Sequence, residues 1–138
     1  MSHKTQQPTF NDALVTLDQI KAVILPYLLE RGWDKLEPRD LATSIVIEAT
    51  ELLEHFQWGT PDIEDRRAHI RDELADTFTY LIEFAMRLDI DIAEAFHDKL
   101  ERVKQKYPVS LFNPSNKEYN RGDYIRIKQL HRAHKNKS

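Results

Sequence analysis

From Asp62 to Leu88 the chain runs without a glycine or a proline. A segment of that length exceeds an ordinary strand, so it predicts a long helix starting near Asp62 or Ile63 and ending about Leu88. Elsewhere, Pro26 apart, most glycines and prolines bound helical patterns, and no stretch alternates with the two-residue period of a strand. Thr16-x-x-Gln19 has capping-box form and predicts a first helix with the stripe Leu17, Ile20, Val23/Ile24 and Tyr27/Leu28. Pro26 should kink that helix, and Gly32 should end it. A second helix should follow Pro38 and run to Phe56 or Trp58, stopped by Gly59, Thr60 and Pro61. Asp91-x-x-Glu94 predicts a fourth, with the stripe Ile92, Phe96, Leu100, Val103 and Tyr107, ended by Pro108. The expected class is all-α, an antiparallel four-helix bundle over residues 16–111. Residues 1–15 read as a flexible arm, and residues 112–138 as a loop and basic tail whose last segment either forms a short helix or frays.

Composition narrows the chemistry. The 138 residues fit one domain with one modest core. With no cysteine, disulfides, thiolate metal sites and cysteine nucleophiles are excluded. Three glycines, at 32, 59 and 122, leave no glycine-rich phosphate loop. No apolar run is long enough to span a membrane, and MSHKTQQPTF lacks a signal-peptide core, so a cytoplasmic location is expected. Residues 121–138 carry six Lys/Arg against one Asp, whereas residues 1–120 carry fourteen basic against twenty-two acidic side chains. The acidic body would repel a phosphate backbone, so no stable nucleic-acid binding is expected.

The acids are not scattered. Glu48/Glu51 and Glu73/Asp76 are two pairs with three-residue spacing on successive helices. Such a pair lies about 60° apart around the axis and about 4.5 Å along it, so each can aim at one point. Glu48 belongs to the stripe Leu41, Ile45, Glu48, Leu52, and Glu73 adjoins the stripe Ile70, Leu74, Phe78, Leu81, where a core-facing helix should be apolar. In a chain with 31% charged residues, an isolated E-x-x-E is ordinarily a solvated face. Two pairs converging at the apolar face need a compensating charge, and an all-oxygen set favours Mg²⁺, with Mn²⁺ also accommodated.

The segments GW, EATELLEHFQW, ELADTFTYL and KYPV resemble the MazG-like, all-α nucleoside triphosphate pyrophosphohydrolases, particularly the dCTP pyrophosphatase branch. The resemblance covers roughly residues 16–111. It implies a nucleotide pyrophosphatase, a hydrolase acting on phosphoric anhydrides, that cleaves an NTP or dNTP to monophosphate and pyrophosphate. Glu48, Glu51, Glu73 and Asp76 would hold the metal, and Trp33 and Trp58 would contribute to the base pocket. Tyr80 matches the family tyrosine one turn past the second acid pair, and Lys99 a lysine near phosphate. Family members assemble as dimers or dimers of dimers, so a homodimer or homotetramer is expected. Two positions depart from the pattern: Val103 stands where an asparagine is usual, and Ile24 where dCTP-preferring members carry a histidine.

Within the acid set, Glu51 is the carboxylate least embedded in its helix's stripe, which nominates it as the base for an attacking water. Two other readings compete. A non-catalytic helical partner protein with a basic tail would leave the acids facing water. A carboxylate-bridged diiron bundle needs two Glu-x-x-His motifs, and Glu94-x-x-His97 supplies one. His55 lies near the acids without a family match.

Overall fold

The computed structural model describes residues 10–59, 62–111 and 121–135. The start of the arm, the Thr60–Pro61 stop and the loop expected over 112–120 lie outside the described residues. Five α-helices and a short 3₁₀ turn make up the described chain, and no strand occurs among these residues: α1 (Leu17–Arg31), α2 (Pro38–Glu54), α3 (Ile63–Arg87), α4 (Ile92–Lys106), the turn Val109–Leu111, and α5 (Arg121–Lys135). The all-α expectation holds. Of the two outcomes left open for the tail, residues 121–135 take the helical one.

Local signals set most of the ends. Thr16 and Gln19 form the reciprocal capping box, with the Gln19 side chain accepting from the Thr16 backbone N–H at 2.8 Å. α1 continues as one helix through Pro26 and stops at Gly32, whose φ of 68° is left-handed. The N–H of Gly32 bonds the Leu29 carbonyl at 3.2 Å and that of Trp33 the Leu28 carbonyl at 3.0 Å. This paired closure fixes where Trp33 leaves the helix. Pro38 opens α2 at its first position, as expected. Regular α2 ends at Glu54, short of the expected Phe56 or Trp58, because Phe56 turns back onto the Leu53 carbonyl at 2.9 Å. FQW therefore lies in a turn. α3 starts at an Asp62 cap and ends at Arg87 with Leu88 as its cap, as expected, and Asp89 just beyond takes the left-handed φ of 52° without being glycine.

By contact, the chain forms two compact units, residues 1–92 and 93–138. In the first, α2 and α3 run antiparallel. Near one end, Arg87 Nε donates to the Leu36 carbonyl at 3.0 Å. Near the other, the His55 and His69 rings stack with centroids 6.3 Å apart. Between these points, each step up α2 is matched by an equal step down α3. Leu28, Leu41, Ile82 and Ala85 form the buried core of this unit.

The inner face of α3 is not the expected one. Leu74, Phe78 and Leu81 are exposed, while Ile70, Glu73, Thr77 and Tyr80 are partly buried. The face that pairs with α2 is thus rotated by one position from the apolar stripe, and it carries the acids on itself. In the second unit, the ring of Tyr107, just past the end of α4, stacks on that of Tyr124 in α5 with centroids 5.3 Å apart, and Ile127 is buried.

Candidate active site

The α2/α3 pairing brings Glu48 opposite Asp76. One carboxylate oxygen each from Glu48, Glu73 and Asp76 lies within 4.8 Å of the others, forming a group that could hold a metal ion. Glu48 and Glu73 are half-buried and Asp76 is exposed, so the cluster sits at a seam with one side open to solvent. Glu48 bears the electrostatic load. Its carboxyl is pushed above its ordinary value by desolvation first, then by the charges of Glu51, Asp76 and Glu73. Those repulsions are what a divalent cation would relieve.

Glu51 lies outside that three-membered group. It is exposed and lines a neighbouring depression of about 400 Å³ with Glu54, His55, Arg66 and Glu73. Arg66, Ile70 and Glu73 succeed one another at helical spacing on one face of α3, which sets a cation beside the acids. The same spacing is visible in the sequence, where Arg66 went unremarked among many charges.

Tyr80 stands one turn beyond Asp76, facing α2. Its phenol is raised above the ordinary range by desolvation, then by Glu48 and Glu83, while a side-chain hydrogen bond with Ser44 acts in the opposite direction. The two nominated indoles lie apart from this cluster in the first unit. Trp33 is half-exposed, packs edge-on against Tyr27 at 5.9 Å, and lines a cavity of about 200 Å³ between α1, α2 and α3. Trp58 follows the other end of α2 and is 91% exposed. The 17 residues of α2 lie between them, a helix length of about 25 Å. A single chain therefore does not bring both indoles to one ring. Lys99 belongs to the second unit, where it lines a groove of about 500 Å³ with Arg102, Lys106, Lys128 and Arg132. Val103 lies in that groove among the cations.

No histidine joins the acid cluster among the described residues, so the geometry offers no second Glu-x-x-His pair for a diiron centre. Sequence reasoning also passed over Glu83, a buried carboxyl in the Trp33 cavity. Its signal was its position, two turns after Asp76 on the same face of α3.

A model of the MazG-like family matches residues 43–121, a span that includes all four acids. Mouse dCTP pyrophosphatase 1 is 34% identical over 105 residues, covering 70% of this chain and 61% of the mouse protein. The human protein of the same name is 32% identical over 112 residues, covering 75% of this chain and 66% of its own length. This chain thus spans roughly three-fifths of the length of the curated relatives it matches. Its fold is similar to that of a pyrophosphatase from Archaeoglobus fulgidus, with a TM-score of 0.64 and 31% identity over 72% of this chain and 99% of that one. The chain belongs to the MazG-like family.

Proposed function

We propose that this chain is a divalent-metal-dependent nucleoside triphosphate pyrophosphohydrolase that acts on the cytoplasmic nucleotide pool, for control or cleaning. The observation that carries the reading is the convergence of Glu48, Glu73 and Asp76 within 4.8 Å across two helices. Three oxygens with an open side match a hard cation that keeps positions free for phosphate, so Mg²⁺ fits, and Mn²⁺ after it. When bound, the cation supplies neutralisation of charge on the phosphate oxygens. Glu51 remains outside the three-membered group, exposed beside it, and is therefore free to act as base.

In this reading Glu51 orients a water and takes its proton as the water oxygen bonds to the α-phosphorus. The bond from that phosphorus to the bridging oxygen breaks, and pyrophosphate leaves with the electron pair. Arg66 lines the same depression, and in this reading its charge offsets that of the departing anion. In the same reading Tyr80 faces the sugar, and the phosphate-contact role of Lys99 is carried over from the family resemblance alone. Trp33 and Trp58 serve one base only if Trp58 comes from a second copy, which argues for a homodimer or homotetramer.

The test is a screen of natural and damaged triphosphates with Mg²⁺, reading pyrophosphate directly. Stoichiometric monophosphate and pyrophosphate, abolished by EDTA and restored by Mg²⁺, is expected. Release of orthophosphate, or no turnover of any triphosphate, would overturn the proposal.

A further inference from the structure

Glu83 is an unusual occupant of its position. It is 7% exposed, the one buried charged residue among the described residues, and it shares its cavity with Leu25, Leu28, Trp33, Leu41 and Met86. Burial alone pushes its carboxyl above the ordinary range. Among the described residues no hydrogen bond or ion pair engages it, and no buried polar side-chain atom is both sealed and unpartnered, so its oxygens reach the cavity. Arg87, one turn on, lines the same space but spends its Nε–H on the Leu36 carbonyl. Asp34 lines it from the α1–α2 connection, and Tyr80 precedes Glu83 by one turn on α3. An unpaired carboxyl in an apolar cavity costs stability, and nothing in the packing requires it, because an apolar side chain would fill the place better.

Position gives the group a use. Asp76, Tyr80 and Glu83 follow each other at i, i+4 and i+7 on α3, so the cavity lies about 10 Å along the helix from the acid cluster. That is about the reach of a sugar and a phosphate. The cavity is lined mainly by apolar side chains and bounded by an indole, with Glu83 as its buried charged group and Asp34 and Arg87 as its other charged members, a construction that suits a flat heteroaromatic ring.

We propose that Glu83 reads the edge of the nucleobase, pairing with an exocyclic amino group and the adjacent ring nitrogen of a cytosine- or adenine-type ring. A protonated carboxyl offers one donor and one acceptor side by side, and burial shifts Glu83 in that direction. Its O–H donates to the ring nitrogen and its carbonyl accepts from the amino group. The corresponding oxo ring, as in uracil or hypoxanthine, presents an N–H and a carbonyl there and opposes a neutral carboxyl held in that arrangement. The inference rests on the pyrophosphohydrolase reading for the orientation of the nucleotide, and it is tested by binding as well as turnover.

The probes are the α,β-methylene analogues of dCTP and dUTP, and of dATP and dITP, titrated with Mg²⁺ into the full chain by calorimetry beside turnover of the parent triphosphates. The wild type should favour the amino member of at least one pair by about 10-fold or more. Glu83→Leu should reduce that ratio to within about 3-fold while raising the melting temperature. Glu83→Gln, whose amide keeps a donor beside an acceptor, should preserve the preference. Hydrolysis without amino preference in the wild type, or preference surviving in Glu83→Leu, overturns the role of Glu83 and leaves the pyrophosphohydrolase reading standing. Glu83-dependent preference in binding without any turnover does the reverse. Loss of preference in Glu83→Gln overturns the neutral-carboxyl pairing, and this arm applies even where Glu83→Leu fails to fold. Binding of no analogue overturns both.

Discussion

Glu48 of α2 and Asp76 of α3 hold carboxylate oxygens within 4.8 Å of each other across an antiparallel helix pair, with Glu73 as a third member. Two helices that would pack closely on apolar contacts instead meet over like charges. The metal-free fold is thereby strained at this seam, and the strain has a pH dependence. Glu48 is raised above the ordinary 4.5, chiefly by desolvation and then by Glu51, Asp76 and Glu73. A raised carboxyl binds its proton more tightly in the folded than in the unfolded state. The resulting stabilisation is complete below the ordinary value and is lost as pH rises through the raised one. At neutral pH the charged Glu48 therefore weakens the metal-free protein. Glu48→Gln should raise its melting temperature by about 3 °C at pH 7, and the difference should close as pH falls below about 4.5. The same change should lower turnover by about 100-fold or more. A variant that turns over like the wild type would remove Glu48 from the site.

Metal should act on the same strain from the other direction. A cation that binds only the folded state stabilises it by mass action, by about 2.7 kcal/mol at a hundredfold excess over Kd. Mg²⁺ should therefore raise the wild-type melting temperature by several degrees, and EDTA should reverse the gain. Asp76→Asn, which removes one charge from the cluster, should melt higher than wild type without metal and gain little on adding it. Equal gains in both proteins would place the cation elsewhere.

The ends of the helices were legible because each rests on one local interaction. Thr16 with Gln19, Gly32 and Pro38 behave as their side chains dictate. Asp89 was not legible, since aspartate tolerates the left-handed region without signalling it as a glycine would. The four acids were visible from their spacing, but not which of them the packing half-buries, namely Glu48 and Glu73. Leu74, Phe78 and Leu81 make the better apolar stripe on α3, yet the face that meets α2 carries Glu73, Thr77 and Tyr80. Hydrophobic pattern tells which face seeks cover, not which neighbour supplies it. Glu83 escaped for a related reason: it sits between apolar residues as an ordinary charge, and only the packing of α1 and α2 against α3 shows that it is enclosed.

That exposed stripe leads to a statement about assembly. Leu74 is 58% exposed, and Phe78 and Leu81 lie beside it with Val46 and Ile47 exposed on α2. A second copy of the chain is the cover proposed here, because one base can meet both indoles only across two chains. Sedimentation at micromolar concentration should give a dimer or tetramer. Phe78→Asp should shift it toward monomer and depress turnover, while Mg²⁺ binding at the acids persists. A wild-type monomer would remove the shared base pocket.

Trp58 separates the base contact from the metal site, because the two should fail differently. At 91% exposure in the single chain it buries almost nothing there, so Trp58→Ala carries none of the roughly 3 to 5 kcal/mol that deleting a core aromatic costs. Its worth in the enzyme must come from what covers it, a base or a neighbouring subunit. Stacking on a base is present about equally in the ground and transition states, so its loss should raise KM and leave kcat nearly unchanged. With stacking worth about 1 to 3 kcal/mol per base, KM should rise about 5- to 150-fold. Selectivity between ring sizes should flatten as one wall is lost. A purely interfacial Trp58 would give another pattern: dissociation in the ultracentrifuge, with KM and kcat restored together at high protein concentration. Measuring KM at two protein concentrations distinguishes the two. A KM that stays high and concentration-independent supports the stacking role, and one that returns to the wild-type value defeats it.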